Sequence, residues 1–491
     1  MDSHDLLNID TALVSRRNPA RDNNGTLDIQ RCARLHNYLV ARGWMAMNNK
    51  QPSELHQLSS RPFYASFYGD QLAGIRHKLD PSLLSFLDSI ILTKTREGDA
   101  YIFYWVTGIA EPNDLVDPEG YIGYDGEDET DEGLPRYLLL YHAVSELGCH
   151  ALGLIYDQKR HRVAISMDIG LQDRVLPAEE YEDRWHPLET MLSNWIEMIH
   201  VGKVLPDPNE SHGRWHAIDI WRWYPFSPGQ VDSTVRAFDR LTAAIEARMS
   251  PSTLLDIDSG TPLFTSAELD MALVPEACFI RSLLTRIRTP RFTTIAPGLE
   301  VPHEKAKFAA RQTFLIPHND SCSSSEVDSN GDSNKFIPSV LVFAASGEQT
   351  ASINKRSDRP FNPRCSANTT GAGLYSESLT IGSGQVTGDG FRLLLRFRLR
   401  EWNIGHEHGA KTSSGDFVEN ESISGLFQHG FFSIGGDDRT QRMERLLDRW
   451  RELVEAGIWT VGEHGVEGTI ETFKDADLDD SWRHYWIPPS W

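Results

Sequence analysis

The sequence predicts an α+β fold, a mainly antiparallel sheet system packed with long amphipathic helices. Three observations carry this expectation. Between Tyr137 and Ile169, three apolar runs (Tyr137–Val144, Ala151–Tyr156 and Arg162–Met167) are separated by Gly148 and by the polar segment Asp157–Arg160. The period then changes, with Trp185, Leu188, Leu192, Trp195, Ile196 and Ile199 recurring at helical spacing. Helical and strand-like stretches are grouped rather than strictly alternating, as an α+β chain requires.

Taken in order, residues 1–26 read as a polar lead-in. Leu27–Trp44 has helical spacing through Ile29, Cys32, Leu35 and Leu39, with an end near Gly43. Ile75–Leu92 is a second helical segment that breaks at Asp80-Pro81, because the residue before proline avoids helical angles. Asp99–Thr107 is rich in aromatic and β-branched residues and predicts a strand. The second and third apolar runs after Tyr137 predict a hairpin. Glu182–His200 should be a helix with Pro187 in its first turn, and Val231–Met249 another, capped by Asp232 or Ser233. Gln312–Pro317 and Phe336–Ala345 predict strands on either side of a polar, low-complexity insertion at 319–334, and 346–378 is similarly polar and poorly patterned. Phe391–Trp402 alternates Leu393, Leu395, Phe397 and Leu399 against Arg392, Arg396, Arg398 and Arg400, which predicts a strand with an arginine face. A final helix is expected over Asp438–Ala456, ended by Gly457. The implied organisation is an α+β domain over 27–250 and a second α+β part over 251–491, with disordered insertions near 319–334 and 346–378.

Composition narrows the functional classes. The 491 residues are 40% hydrophobic and 24% charged, enough for sizeable cores. The net charge of −22 opposes general binding to nucleic acid or anionic membranes. Its distribution is uneven. Nine acids and no base fall between Pro112 and Gly133, whereas Phe279–Arg311 carries Arg281, Arg286, Arg288, Arg291, Lys305, Lys307 and Arg311 against Glu300 and Glu304. No run of 18 apolar residues is present, and the first residues lack a basic region followed by an apolar one, so neither a membrane span nor a secretory signal is expected and a cytoplasmic location is. Five scattered cysteines without a Cys-x-x-Cys pair fit reduced thiols better than disulfides or a zinc site.

Several constellations could carry chemistry, each beside a plainer alternative. His406-Glu407-His408 has a spacing some metal sites use, but no third ligand stands nearby, so no metal is expected. His318 to Cys322 and the group His142, Glu146, Cys149 and His150 mix bases with thiols, but solvation explains the first and packing the second better than catalysis does. The glycine-rich Gly382–Gly390 precedes a strand instead of opening a helix, which suits a hairpin better than a phosphate loop. Arg396, Arg398 and Arg400 on one strand face would bind an anion or RNA phosphate, or pair with acids of a neighbouring strand. Trp215, Trp221, Trp223, Tyr224 and Phe226 cluster beside Asp219. They could stack on a planar ligand or guanidinium, making Trp215, Asp219, Trp223 and Tyr224 the candidate substrate contacts, or form a packed aromatic connector.

Three segments, Arg184–Trp195, Trp223-Tyr-Pro-Phe226 through to Arg248, and Ser481–Trp491, resemble a group of filamentous-fungal proteins that includes the arginine-containing cyclodipeptide synthases. The resemblance implies an intracellular enzyme of specialised metabolism that joins arginine and a second amino acid from their charged tRNAs, with no added cofactor. It points to Asp437 and Asp438 as the catalytic acids, within a motif that in the family reads Asp-Asp-x-x-Glu. Here the fifth position is Gln441, and the other near match, Asp479-Asp480-Ser-Trp-Arg483, also lacks the glutamate. An amide does not titrate, so general acid–base work at that position would be lost. The implied partners are charged tRNA, reached through local basic patches, and a small-molecule ligand. A non-catalytic binding or scaffold protein is the competing class.

Overall fold

A computed structural model describes residues 6–15, 17–21, 26–60, 63–92, 94–95, 98–99, 102–116, 133–144, 153–166, 179, 182–207, 217–218, 220–315, 336–347, 349–353, 369–380, 387–399, 409–419, 422–430 and 440–489. They form a mixed structure of helices and several small, largely antiparallel sheets. The chain divides into two compact units, the first built on residues up to Tyr224 and the second on residues from Pro225 onward. The expected boundary at 250 therefore falls earlier.

The first unit opens with residues the sequence marks as a polar lead-in, yet Leu6, Ile9 and Ala12 are buried. Helix α1 (Ile29–Met47) follows, with Asp28 accepting the Arg31 amide at its start. Helix α2 (Tyr64–Ile75) is interrupted at Gly69, whose φ of +27° breaks the helical path. Helix α3 (Pro81–Leu87) begins where the sequence predicts a break: Asp80 accepts from the Ser82 amide at 2.7 Å and Pro81 takes the first position. A short hairpin, β1 (Lys94–Thr95) with β2 (Gly98–Asp99), precedes β3 (Val106–Ile109) and the one-turn helix α4 (Pro112–Val116). The strand predicted over Asp99–Thr107 is thus split, with Ile102–Trp105 as a buried turn between the halves.

Strands β4 (Tyr137–Ala143), β5 (Gly153–Asp157) and β6 (Arg162–Ser166) match the three apolar runs and pair antiparallel. His161 closes the predicted hairpin at φ +53°, its Nδ1 2.7 Å from the Tyr156 hydroxyl. The segment His186–Pro187 pairs with Arg162 and Val163 as strand β7, completing a five-stranded sheet in the order β3-β4-β5-β6-β7. This pairing explains why helix α5 spans Leu188–His200 and not the predicted 182–200: Pro187 caps it from outside. Strands β8 (Val204–Pro206), β9 (Ala217–Ile218) and β10 (Trp221–Trp223) make a small second sheet. Buried aromatics hold the unit together. Trp195 stacks on Phe103 at 5.4 Å between centroids, and Trp221 meets the same ring edge-on at 5.4 Å.

The second unit starts with helix α6 (Pro228–Glu246). Ser227 and Gln230 form a reciprocal capping box, so the cap lies five residues before the expected Asp232. Helices α7 (Ser266–Met271) and α8 (Phe279–Leu284) lead to β11 (Thr294–Ala296), β12 (Leu299–Glu300) and helix α9 (Lys305–Ala310). Gly298 takes φ +68° in the β11–β12 turn, where a side chain would meet the Ile470 amide at 2.4 Å. Strand β13 (Phe336–Ile337) and β14 (Leu341–Ala344) occupy the expected 336–345 stretch. Of the strand predicted over Gln312–Pro317, the described residues 312–315 form a turn segment instead. Within 346–378, read as unpatterned, β15 (Thr350–Ser352) pairs with β16 (Thr369–Gly371), and β17 (Gly373–Ser376) sits between β14 and a later strand. Polar Thr and Ser do not prevent ladder pairing when one face is covered, as buried Ala351 and Thr370 show.

β18 (Leu379–Thr380) pairs with β13, and β19 (Phe391–Leu394) completes the order β14-β17-β19. The strand predicted to Trp402 stops at Leu394, because Leu395 turns away and donates its amide to Ile423 at 3.0 Å. Helix α10 (Met443–Glu455) buries Met443, Leu446, Leu447, Trp450, Leu453 and Val454, the predicted stripe. It packs along α6, joined at the surface by Arg240–Asp448 at 2.9 Å. Strands β20 (Val461–Gly462) and β21 (Gly465–Val466) close a four-stranded sheet in which β11 and β21 run parallel. The insertion at 319–334 lies outside the described residues.

Candidate functional site

Of the residues chosen from sequence, Asp437, Asp438, Trp215, Asp219 and Arg400 lie outside the described residues, as do His318, Cys322, Cys149, His150 and the His406–His408 triplet. Trp223 is buried, its ring 5.4 Å from Tyr104 and 5.6 Å from Trp105, with the Lys203 ammonium 5.1 Å from its centroid. Tyr224 is half-buried, and its amide donates to the Lys203 carbonyl at 2.8 Å. Among the described residues, no three His, Cys, Asp or Glu side chains are grouped to hold a metal.

The arginine face is not assembled on a strand. Arg392, on β19, pairs with Glu377 at 3.0 Å, both nearly enclosed; burial pushes the Glu377 carboxyl up while Arg392 opposes that shift. Arg396 and Arg398 lie past the strand end and are exposed, Arg396 meeting Glu471 at 3.2 Å. Among the described residues, Arg396 and Arg398 are therefore not held in strand register, and Arg400 lies outside them.

Gln441, the last residue of the segment Asp437-Asp438-Arg-Thr-Gln441, is fully buried. Its amide N–H donates to Gln428 Oε1 at 3.0 Å, and its Nε2 donates to Ser413 Oγ at 3.2 Å and lies 3.3 Å from His429 Nδ1. His429, Ser413 and Gln428 are themselves enclosed. This network ties the segments 409–430 and 440–442 together, which is a structural role for a neutral amide. Sequence reasoning did not single out His429 or Ser413, since nothing in their local spacing marks them.

The basic segment resolves more sharply. Arg281 pairs with Asp270 at 2.6 Å, Arg286 with Asp232, and Arg288 with Glu246 at 3.0 Å. Arg291 donates to the Leu255 carbonyl at 3.0 Å, and Lys305 to the carbonyls of Leu263 and Pro302 while covering the Phe264 ring at 4.0 Å. Each of these five cations is thus answered within the unit. The last two differ: Lys307 and Arg311, one turn apart on and just after α9, share the single carboxylate of Glu300 at 3.4 and 3.2 Å.

These three residues border a cleft of about 240 Å³ between β12, α9 and β14. Buried Val301, Phe308, Leu341 and Val342 give it apolar lining, and exposed Glu304 adds a second carboxylate beside Lys307. His303, also on the wall, lies with Nε2 2.7 Å from the Phe292 carbonyl. A carbonyl can only accept, so Nε2 is the donor in this contact. Gln312 braces the far side through hydrogen bonds to the Leu341 main chain. Apolar walls with a few convergent polar groups are the usual make-up of a small-molecule site, and this cleft is the candidate functional site. No known protein family, curated protein or solved structure matches this chain.

Proposed function

We propose that the cleft binds a small zwitterion of amino-acid size, its carboxylate on Lys307 and Arg311 and its ammonium on Glu304 and Glu300. The observation that supports this is the balance of charge: two cations share Glu300 while Glu304 stands at the same mouth over an apolar lining. A plain anion has to compete with Glu300 for both cations. A plain cation meets Lys307 and Arg311. A zwitterion exchanges one set of ion pairs for another and leaves no charge unanswered.

The catalytic form of this reading is an enzyme that joins amino acids, and its specific version is a tRNA-dependent, arginine-containing cyclodipeptide synthase. The resemblance of the segments 184–195, 223–248 and 481–491 supports that version. The buried, non-titrating Gln441 weighs against an acid–base role at its own position. The alternative is a non-catalytic protein that binds the same ligand.

Calorimetric titration with a panel of L-amino acids tests the shared part. At least one should bind, and both Arg311→Ala and Glu300→Gln should weaken it about tenfold, or about 1.4 kcal/mol. Acetate should behave oppositely in Glu300→Gln, binding more tightly once its competitor is neutral. Absence of heat with every amino acid would sink the proposal. Expression in a bacterium followed by mass spectrometry then separates the two forms. New arginine-containing cyclic dipeptides would establish the enzyme, and amino-acid binding without such products the binding protein.

A further inference from the structure

Buried aromatics dominate both cores, so the exceptions carry information. Among the described residues, seven large hydrophobic side chains are exposed, and the two aromatics among them, Phe63 (40% exposed) and Phe67 (42%), stand one helical turn apart at the start of α2. Phe67 meets the Tyr68 ring edge-on at 4.9 Å, and Tyr68 in turn packs on Tyr64 at 4.8 Å, whose hydroxyl is anchored on the Ala110 carbonyl at 2.8 Å. The exposed ring is therefore backed by a rigid aromatic stack. Directly after it, the break at Gly69 opens a groove lined by Phe67, Tyr68, Gly69, Asp70, Gln71 and Glu111. Apart from its chain neighbours and its own helix backbone, Gly69 has no heavy atom within 4 Å of where a side chain would begin, so no other segment fills the groove there.

We propose that this groove docks an arginine side chain of a basic peptide segment. Guanidinium is planar and weakly hydrated, so it stacks on an exposed aromatic face, and its fork can meet a carboxylate with paired hydrogen bonds. Phe67 supplies the face, Asp70 and Glu111 the carboxylates, and Gln71 a further acceptor. An ammonium ion uses the charge but not the ring plane. The open, one-sided form of the groove suits a side chain presented by another chain rather than a free quaternary amine, which is held by a closed aromatic cage. The protein's net charge of −22 brings any basic segment to its surface, while the aromatic face gives this spot its selectivity. The inference is independent of the cleft at Lys307 and Arg311.

The test uses the full chain titrated with hexa-arginine and with hexa-lysine, followed by fluorescence anisotropy of labelled peptide at fixed ionic strength. Hexa-arginine should bind more tightly. Phe67→Ala, which changes no charge, should weaken it about three- to fivefold, and Phe67→Tyr should restore it. Glu111→Gln should weaken binding by a similar factor, whereas Glu463→Gln, the same charge change at an exposed hairpin of the second unit, should leave it within about 1.5-fold. Equal affinity for the two peptides, insensitivity to Phe67→Ala, or equal losses from Glu111→Gln and Glu463→Gln would each show diffuse attraction to an acidic surface and overturn the assignment.

Discussion

Gln312 lies in a turn and adds no backbone to any sheet, yet its side chain pairs with Leu341 as a neighbouring strand would. Its Oε1 accepts the Leu341 amide at 3.0 Å, and its Nε2 donates to the Leu341 carbonyl at 3.0 Å and to the Phe308 carbonyl at 3.2 Å. The pairing occurs at the start of β14, where the register with β17 shifts between Leu341 and Phe343. All of these groups are buried, so each lost bond leaves a donor or acceptor without water. Gln312→Leu should destabilise the second unit by about 2–4 kcal/mol in denaturant unfolding. Gln312→Glu should be at least as harmful at neutral pH, because a carboxylate then faces two carbonyl oxygens. A loss below about 0.5 kcal/mol would mean that the amide does not brace the strand.

His36 gives the first unit a defined response to acid. It is buried between Tyr141, whose hydroxyl lies 2.8 Å from Nδ1, and the Ile91 carbonyl, 3.1 Å from Nε2. Burial lowers its pKa to about 4, with the Ile91 bond opposing the shift. The unfolded chain takes up this proton near pH 6.5, the folded one near pH 4, so the unfolded state binds more protons between those values. The stabilisation is present in full above about pH 6.5 and is lost as pH falls towards 4. At 1.36 kcal/mol per pH unit, the loss attributable to His36 is roughly 3 kcal/mol. His36→Gln, which cannot titrate, should flatten that part of the stability–pH curve by a comparable amount. An unchanged slope would place the acid sensitivity elsewhere.

Arg31 holds the stretch before α1 by its main chain. Its guanidinium donates to the carbonyls of Ala12, Leu13, Asn18 and Pro19 at 2.6, 3.0, 2.9 and 2.8 Å. Arg17 and Arg21 are exposed on this stretch and are ready trypsin sites once the backbone loosens. Arg31→Ala should raise the rate of cleavage at these two positions about tenfold or more, followed by mass spectrometry, and Arg31→Lys should fall between because an ammonium cannot span four acceptors. Equal rates in all three would mean that burial of Leu6, Ile9 and Ala12 suffices to hold the segment.

Where local pattern and burial agree, the sequence was a good guide. The hairpin of β5 and β6, the break at Asp80-Pro81 and the apolar stripe of α10 all follow from period and proline chemistry, and the structure contains each. The failures share a cause, which is that alternation reports burial and not hydrogen bonding. Leu395 and Leu399 remain buried after β19 has ended, so the two-residue period runs on through a stretch with no ladder. Apolar Leu315 is likewise buried from a turn. Helix starts moved when tertiary pairing claimed the first residues, as β7 does with His186 and Pro187. For the cleft, Lys307, Arg311 and Glu300 stand out as charges in the sequence, but their distinction from the other five cations was hidden. The neutralising partners of Arg281, Arg286 and Arg288 come from α6 and from the end of α7, far enough away that no local pattern reveals them.

The aromatic packing has an optical consequence. Trp105 and Trp223 lie 5.6 Å apart at 60° in the first unit, and Trp450 and Trp459 lie 6.0 Å apart at 52° in the second. Tilted indoles at such separations share their electronic excitations and produce paired circular-dichroism bands of opposite sign. Each unit therefore contains an intrinsic chromophore pair whose signal vanishes when its own core opens. Replacing one indole of either pair by phenylalanine assigns the bands, after which the melting of the two units can be followed separately in a single unlabelled sample.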